Sequence, residues 1–219
     1  KEANATLLET GGATPNKIWQ EGDSQNAIYA VRSLGIDPSN GRELFLKKNG
    51  EVTYTWDAND RVFCGVDQPD YRGNINTMFM WKDLSVNLSF GYEWGGQQYN
   101  STLISRVENA DKKYNVDRRV YEDRWKEPGD RTFFKGINET TATQATSRFV
   151  QDEATFTCQN LNVTYDLKGN KWLKRNLGIQ TLTLKGDIAD LFRISTIKQE
   201  RGTSYPFSRQ FSFTLSAMF

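Results

Sequence analysis

Two acidic pairs invite a catalytic reading: Glu122 with Asp123, and Asp57 with Asp60. Paired carboxylates are the equipment of a glycosidase, one serving as acid and the other as base or nucleophile. Both pairs sit in polar, charge-rich stretches, where solvated loop charge accounts for them. The run DAND at 57–60 has the residue types of a calcium loop but no spaced ligand set and no closing glutamate. The 219 residues contain no histidine, which removes the commonest general base and metal ligand. No GxSxG, HExxH or Walker loop occurs. Cys64 and Cys158 have neither zinc spacing nor a CxxC arrangement, though they could pair with each other. The sequence therefore predicts no catalytic residue, no metal site, no cofactor and no enzyme.

Composition narrows the class further. Lys plus Arg number 28 against 27 Asp plus Glu, a balance without the field that draws in nucleic acid. The hydrophobic fraction is only 37%, and 13% of the residues are aromatic, so the apolar surface comes largely as rings. Such a composition suits interfaces better than a Leu-rich interior. Sequons at Asn4, Asn87, Asn100, Asn138 and Asn162 suggest glycosylation. Abundant Asn and Thr explain them better, and Asn87 and Asn162 fall inside strand patterns. No run of about 18 apolar residues is present, so no transmembrane helix is expected, and the opening KEANATLLET lacks signal-peptide character. A barrel remains open.

The elements that must carry any site are strands. Leu84, Val86, Leu88, Phe90, Tyr92 and Trp94 alternate with Ser85, Asn87, Ser89, Gly91 and Glu93, a half-buried strand by period. The preceding run has Ile75, Phe79 and Trp81 on one parity, and only WKD at 81–83 separates the two, so they predict an antiparallel hairpin. Further strands are expected at about 153–166, 179–189 and 209–219. Phe156 and Cys158 have the opposite parity to Leu161, which predicts a bulge near Gln159 or Asn160. KWLKRNLG at 171–178 reads as a short basic helix closed by Gly178. Residues 95–152 form a connection too long for a plain linker, with helices expected after Asn100 and Asp117, the second ended by Pro128-Gly129. Residues 1–70 read as loop apart from a hairpin at about 43–56 turned on Asn49-Gly50.

Strands of about 9–11 residues with one apolar and one polar face, joined alternately by short turns and long loops, fit a transmembrane barrel. The rival reading is a soluble carbohydrate-binding β-domain, in which the Leu84–Trp94 face would be buried instead of meeting lipid. Five strands cannot close a transmembrane barrel, so the others come from further copies or from a longer chain. The lack of an export signal favours the longer chain.

Several passages then resemble the C-terminal part of a SusC/RagA-type TonB-linked outer-membrane transporter of the Bacteroidetes. They are EGDSQNAIYAVRSLGIDPSNGRELF (21–45), DRVFCGVDQPDYRGN (60–74) before the WKDLS hairpin, YEDRWKEPGD (121–130), SRFVQDEATFTCQNLNVTYDL (147–167), and DLFRIS with YPFSRQFSFTLSAMF toward the end. The resemblance implies an all-β fold comprising the last strands of a large barrel, 22-stranded in the family, with long extracellular loops containing short helices. Its plug domain and remaining strands are expected outside these residues. A SusD-like surface lipoprotein, the TonB-ExbB-ExbD energy system, the barrel-assembly machinery and membrane lipid or lipopolysaccharide are the implied partners, with no nucleic acid. The implied function is import of a glycan or other large nutrient.

By the same resemblance the C-terminus lies in the periplasm, and residues 1–70, 95–152 and 190–207 are extracellular. Leu84, Val86, Leu88, Phe90, Tyr92 and Trp94 would face lipid. Phe211, Phe213, Leu215, Ala217 and Phe219 would form the closing seam and assembly signal. In the loops, Trp56, Tyr99 and Trp125 could stack on sugar rings or meet the partner, or pack the loops together. Arg124 and Arg148 could bond ligand hydroxyls, or pair with carboxylates.

Overall fold

The structure is a computed structural model that describes residues 15, 21–111, 113, 116–198 and 209–219. It is predominantly β, with antiparallel pairing between its strands. Two compact units divide the chain: a sheet unit of Asp70–Trp94, Ala154–Thr196 and Phe207–Phe219, and a loop unit made of the remainder. The sequon at Asn4 and residues 199–207 of the last expected loop lie outside the described residues.

Among the described residues, the loop unit is ordered by β1 (Ala27–Ile36), β2 (Glu43–Leu46), β3 (Val52–Thr53) and β4 (Arg61–Val66), paired in the order β3-β2-β1-β4. The sequence pattern predicts only the β2–β3 hairpin here, so β1 and β4 are additions. The reason lies in burial: Ala27–Val31 are buried on both faces, and such a strand reads as a continuous apolar run without alternation.

Beyond these strands the loop unit holds α1 (Ser101–Leu103), which runs on as a π turn over Ile104–Glu108. Asn100 caps it by accepting from the Leu103 amide at 3.3 Å. The second helix, α2 (Arg119–Glu122), is one turn long, and Asp117 accepts from the Arg119 amide at 2.9 Å. Leu103, Ile104, Val107, Val120, Phe134 and Phe149 form the core of this unit.

Five strands make the sheet unit, in chain order β5 (Tyr71–Trp81), β6 (Leu84–Tyr99), β7 (Val150–Lys168), β8 (Thr181–Ser195) and β9 (Gln210–Met218). β6 and β7 extend past the sheet unit into the loop unit. Trp81 pairs with Leu84, leaving a two-residue turn at Lys82–Asp83 with Lys82 at φ 53°. α3 (Lys171–Leu177) joins β7 to β8, capped by Asn170 and closed by Gly178 at φ 69°, a left-handed position that favours glycine. The register of β7 against β8 shifts between Cys158 and Asn160. Phe156 stacks on Phe90 of one face. Gln159 reaches Ser89 and Asn162 reaches Asn87, both on the other face, so the alternation slips between residues 159 and 162.

The two faces of this sheet are chemically distinct. Register sets Leu161 beside Ile188 and Phe211, and Val163 beside Gly186 and Phe213. The opposite face is a ladder of polar side chains. Ser89 donates to Asn76 at 2.7 Å, Asn87 to Asn162 at 3.4 Å, and Thr183 to Asp166 at 2.6 Å, while Asn162 donates to Asp187. These bonds also occupy the Asn87 and Asn162 amides. Among the described residues, Cys158 alone of the buried apolar side chains belongs to the sheet unit. Both cysteines are free thiols, so the disulfide left open by the sequence does not form.

Candidate functional site

The loop unit is organised by one arginine. The 3-10 turn Ser147–Phe149 delivers Arg148 between two carboxylates, Glu43 at the start of β2 and Glu108 at the end of the π turn. Its guanidinium reaches Glu43 at 2.7 and 3.0 Å and Glu108 at 2.6 and 2.9 Å, and donates to the Phe133 carbonyl at 2.7 Å. The Phe149 ring lies under it, 4.4 Å from centroid to guanidinium carbon. Thr143 donates to Glu108 at 2.7 Å, and Ser33 and Thr146 donate to Glu43 at 2.7 and 3.0 Å. The Arg148 and Glu108 side chains are 4% and 0% exposed, so neither ion has water to fall back on.

Burial alone would raise the Glu108 carboxyl, but the hydrogen bonds and charge of Arg148, with the Thr143 bond, hold it below the usual carboxylate range. Burial likewise opposes the Arg148 charge, and the bonds to Glu108 and Glu43 outweigh it, so the guanidinium is held protonated more firmly than usual. Sequence reading raised carboxylate pairing as one fate of Arg148, without finding its partners. Glu43 and Glu108 are 65 positions apart, and no spacing rule joins them.

Arg124 is buried beside this cluster. It donates to the carbonyls of Val107 at 2.8 Å and Glu108, which satisfies the C-terminal carbonyls of the π turn, and to the Lys135 carbonyl at 3.3 Å. Lys135, also buried, donates to the Thr141 carbonyl. Burial pushes both cations below their usual pKa values.

The aromatic residues singled out from the sequence pack the loops. Trp125 donates from its indole nitrogen to Pro38 O at 2.8 Å, with its ring laid on Gly41 and Gly136. Trp56 donates to Ala145 O at 3.2 Å under the Arg61 guanidinium, and Tyr99 meets the Phe149 ring edge-on. Trp125 and Arg124 also line a groove of about 350 Å³ with Val120, Tyr121, Lys126 and Ile137 among its walls. Trp56 and Tyr99 are not among its lining residues. Tyr121, which sequence reading did not single out, is 69% exposed there, with the Lys126 ammonium 4.1 Å from its ring centroid. The acidic pairs serve local structure: Asp57 caps a 3-10 turn, Asp60 accepts from the Lys48 amide, and Glu122 pairs with Arg118. Among the described residues no three His, Cys, Asp or Glu side chains converge to hold a metal.

The sheet sets Leu84, Val86, Leu88, Phe90, Tyr92 and Trp94 on the same face as Phe211, Phe213, Leu215 and Ala217, by the registers and contacts given above. At one end of that face Trp94 packs on Tyr71 and Tyr92, with ring centroids 5.5 and 5.0 Å apart. Phe219 follows β9 and is exposed.

This arrangement is similar to part of a peptide importer. The RagAB peptide importer in its closed-closed state superposes with a TM-score of 0.68 at 21% identity, covering 94% of this chain and 24% of that chain. The open-open state of the importer gives a TM-score of 0.63 at 20% identity over 88% and 21%. A further structure of the RagAB peptide transporter gives 0.56 at 18% identity over 78% and 19%. No family model and no curated protein matches the chain. The chain thus shares the fold of the importer over less than a quarter of the importer's length, in both states.

Proposed function

We propose that this chain is a segment of a TonB-dependent outer-membrane transporter that imports a large nutrient together with a SusD-like lipoprotein. The observation that carries the reading is the sheet unit: an apolar face with Cys158 as its one buried apolar side chain among the described residues, backed by a hydrogen-bonded polar ladder. In water such a face has no favourable environment, whereas a bilayer supplies one and a barrel lumen hydrates the other face. The similarity to a peptide importer supports import as the activity and adds peptides to glycans as candidate cargo.

In this reading β5–β9 are the last strands of the barrel. The Leu84–Trp94 set faces lipid, Tyr71, Tyr92 and Trp94 form an aromatic girdle, and Phe211–Phe219 forms the closing seam recognised by the assembly machinery. Residues 1–70, 95–152 and 190–207 are extracellular and the C-terminus is periplasmic. No catalytic step resides in the chain. TonB-ExbB-ExbD supplies the energy to the complete transporter.

Leu88→Arg tests the reading. Charge at the bilayer midplane costs about 2–4 kcal/mol, so this variant is expected to deplete the folded protein from the outer-membrane fraction and to abolish its heat-modifiable migration on gels. Asn87→Arg, on the polar face, is expected to be tolerated better. Leu88→Arg folding normally, in water and without detergent, would overturn the membrane assignment.

A further inference from the structure

We propose that the groove over Arg124 binds the carboxylate of a small organic ligand whose adjoining group is apolar or ring-shaped. That this ligand is cargo rests on the import reading; the chemistry of the site rests on the loop unit alone.

The first observation is an imbalance of buried charge. Among the described residues of the loop unit, four cationic side chains are buried, Arg61, Arg124, Lys135 and Arg148, against two carboxylates, Glu43 and Glu108, and Arg148 engages both carboxylates. Arg124 and Lys135 are answered by carbonyl oxygens, whose dipoles compensate a full charge less well than a carboxylate does. Arg124 is 4% exposed, and its Nε has no partner among the described residues. The π-turn carbonyls account for Nη2 and the Lys135 carbonyl for Nη1, which leaves Nε unexplained.

The second observation is what lies beside it. Lys126 adds a cation at the groove, and the Tyr121 ring, Trp125 and the half-exposed Ile137 supply an apolar wall. Glu139 lines the same groove and opposes an anion, but its carboxylate is engaged by the Thr141 amide and hydroxyl and lies 3.6 Å from Arg42. A volume of about 350 Å³ is at the small end for ligand sites and suits one terminal residue or one sugar ring. Burial already lowers the pKa of Arg124 and Lys135, so an incoming anion would relieve a cost that the fold now bears.

A peptide C-terminus and a uronic acid both present this chemistry. Titration calorimetry on the full-length protein in detergent micelles would compare acetyl-Gly-Gly-Phe with its C-terminal amide, and a glucuronate-terminated disaccharide with its neutral glucose analogue. At least one acid is expected to bind about tenfold or more tightly than its neutral counterpart. The acid that binds identifies the source. Lys126→Gln should weaken the acid while leaving the neutral ligand unchanged, and Tyr121→Ala should weaken both without unfolding an exposed position. Equal affinities within each pair, or no binding by any of the four, overturn the proposal. Equal affinities in a protein that still imports its cargo sink the carboxylate site alone, whereas failure to reach the outer membrane sinks the import reading and leaves the binding ratios standing.

Discussion

Replacing Arg148 with methionine removes the guanidinium that bridges Glu43 and Glu108 while keeping much of the side-chain volume against Phe149. Each carboxylate keeps a hydroxyl donor, Thr143 on Glu108 and Thr146 with Ser33 on Glu43, but neither keeps a counter-charge from Arg148. Breaking a buried pair from one side costs about 3–5 kcal/mol, and here two acids are stranded, so the upper part of that range applies. Arg148→Lys should recover part of the loss, since an ammonium keeps the charge but cannot fork across two carboxylates. Hydrogen exchange in detergent micelles would read the effect. Amides such as Asn109, bonded to Ile104 O, and Phe149, bonded to Thr146 O, should exchange about three orders of magnitude faster. Amides of β8 and β9 serve as the reference.

The pH dependence has a definite sign. The folded-state carboxyl of Glu108 is depressed below its ordinary value of 4.5, so its contribution is present above that pH and is lost as pH falls through the lower folded value. In Arg148→Met the burial that raises this carboxyl is no longer opposed by arginine, and protonation then relieves the strain. The difference between the two proteins should therefore be widest near neutrality and narrow below about pH 5. A tenfold or smaller change in exchange, or a gap that widens on acidification, would refute this account of the cluster.

Gly41→Ala should destabilise the loop unit by about 1–3 kcal/mol, because the glycine has φ 72° and an added Cβ would sit 2.4 Å from the Trp125 ring; thermal melts followed by tryptophan fluorescence would check it. Asn100→Ala removes the cap on Leu103 and bonds to Gln151 and Lys198 O. It should cost about 1–2 kcal/mol, seen as faster proteolysis within residues 95–110. Deleting Phe219 should lower the yield of assembled protein in the membrane fraction without changing loop-unit exchange rates, if the ring serves assembly.

Periodicity alone determined a good deal about this protein. The alternation from Leu84 to Trp94 defines a strand with a polar and an apolar face, and the parity clash of Cys158 with Leu161 locates a slip in register that the backbone also shows. Asn100 and Gly178 are legible for the same reason, since capping is chemistry among neighbours in sequence. Only the tertiary structure decided the rest. Ala27–Val31 of β1 carry no alternation because both faces are buried there, and Arg148 meets Glu43 and Glu108 across 105 and 40 positions. Trp56, Tyr99 and Trp125 looked the same in sequence, as loop aromatics, yet the fold leaves Trp125 alone of the three beside the Tyr121 groove. A local pattern records which face of an element is apolar; which distant charge or ring it meets is fixed by how the loops close on one another.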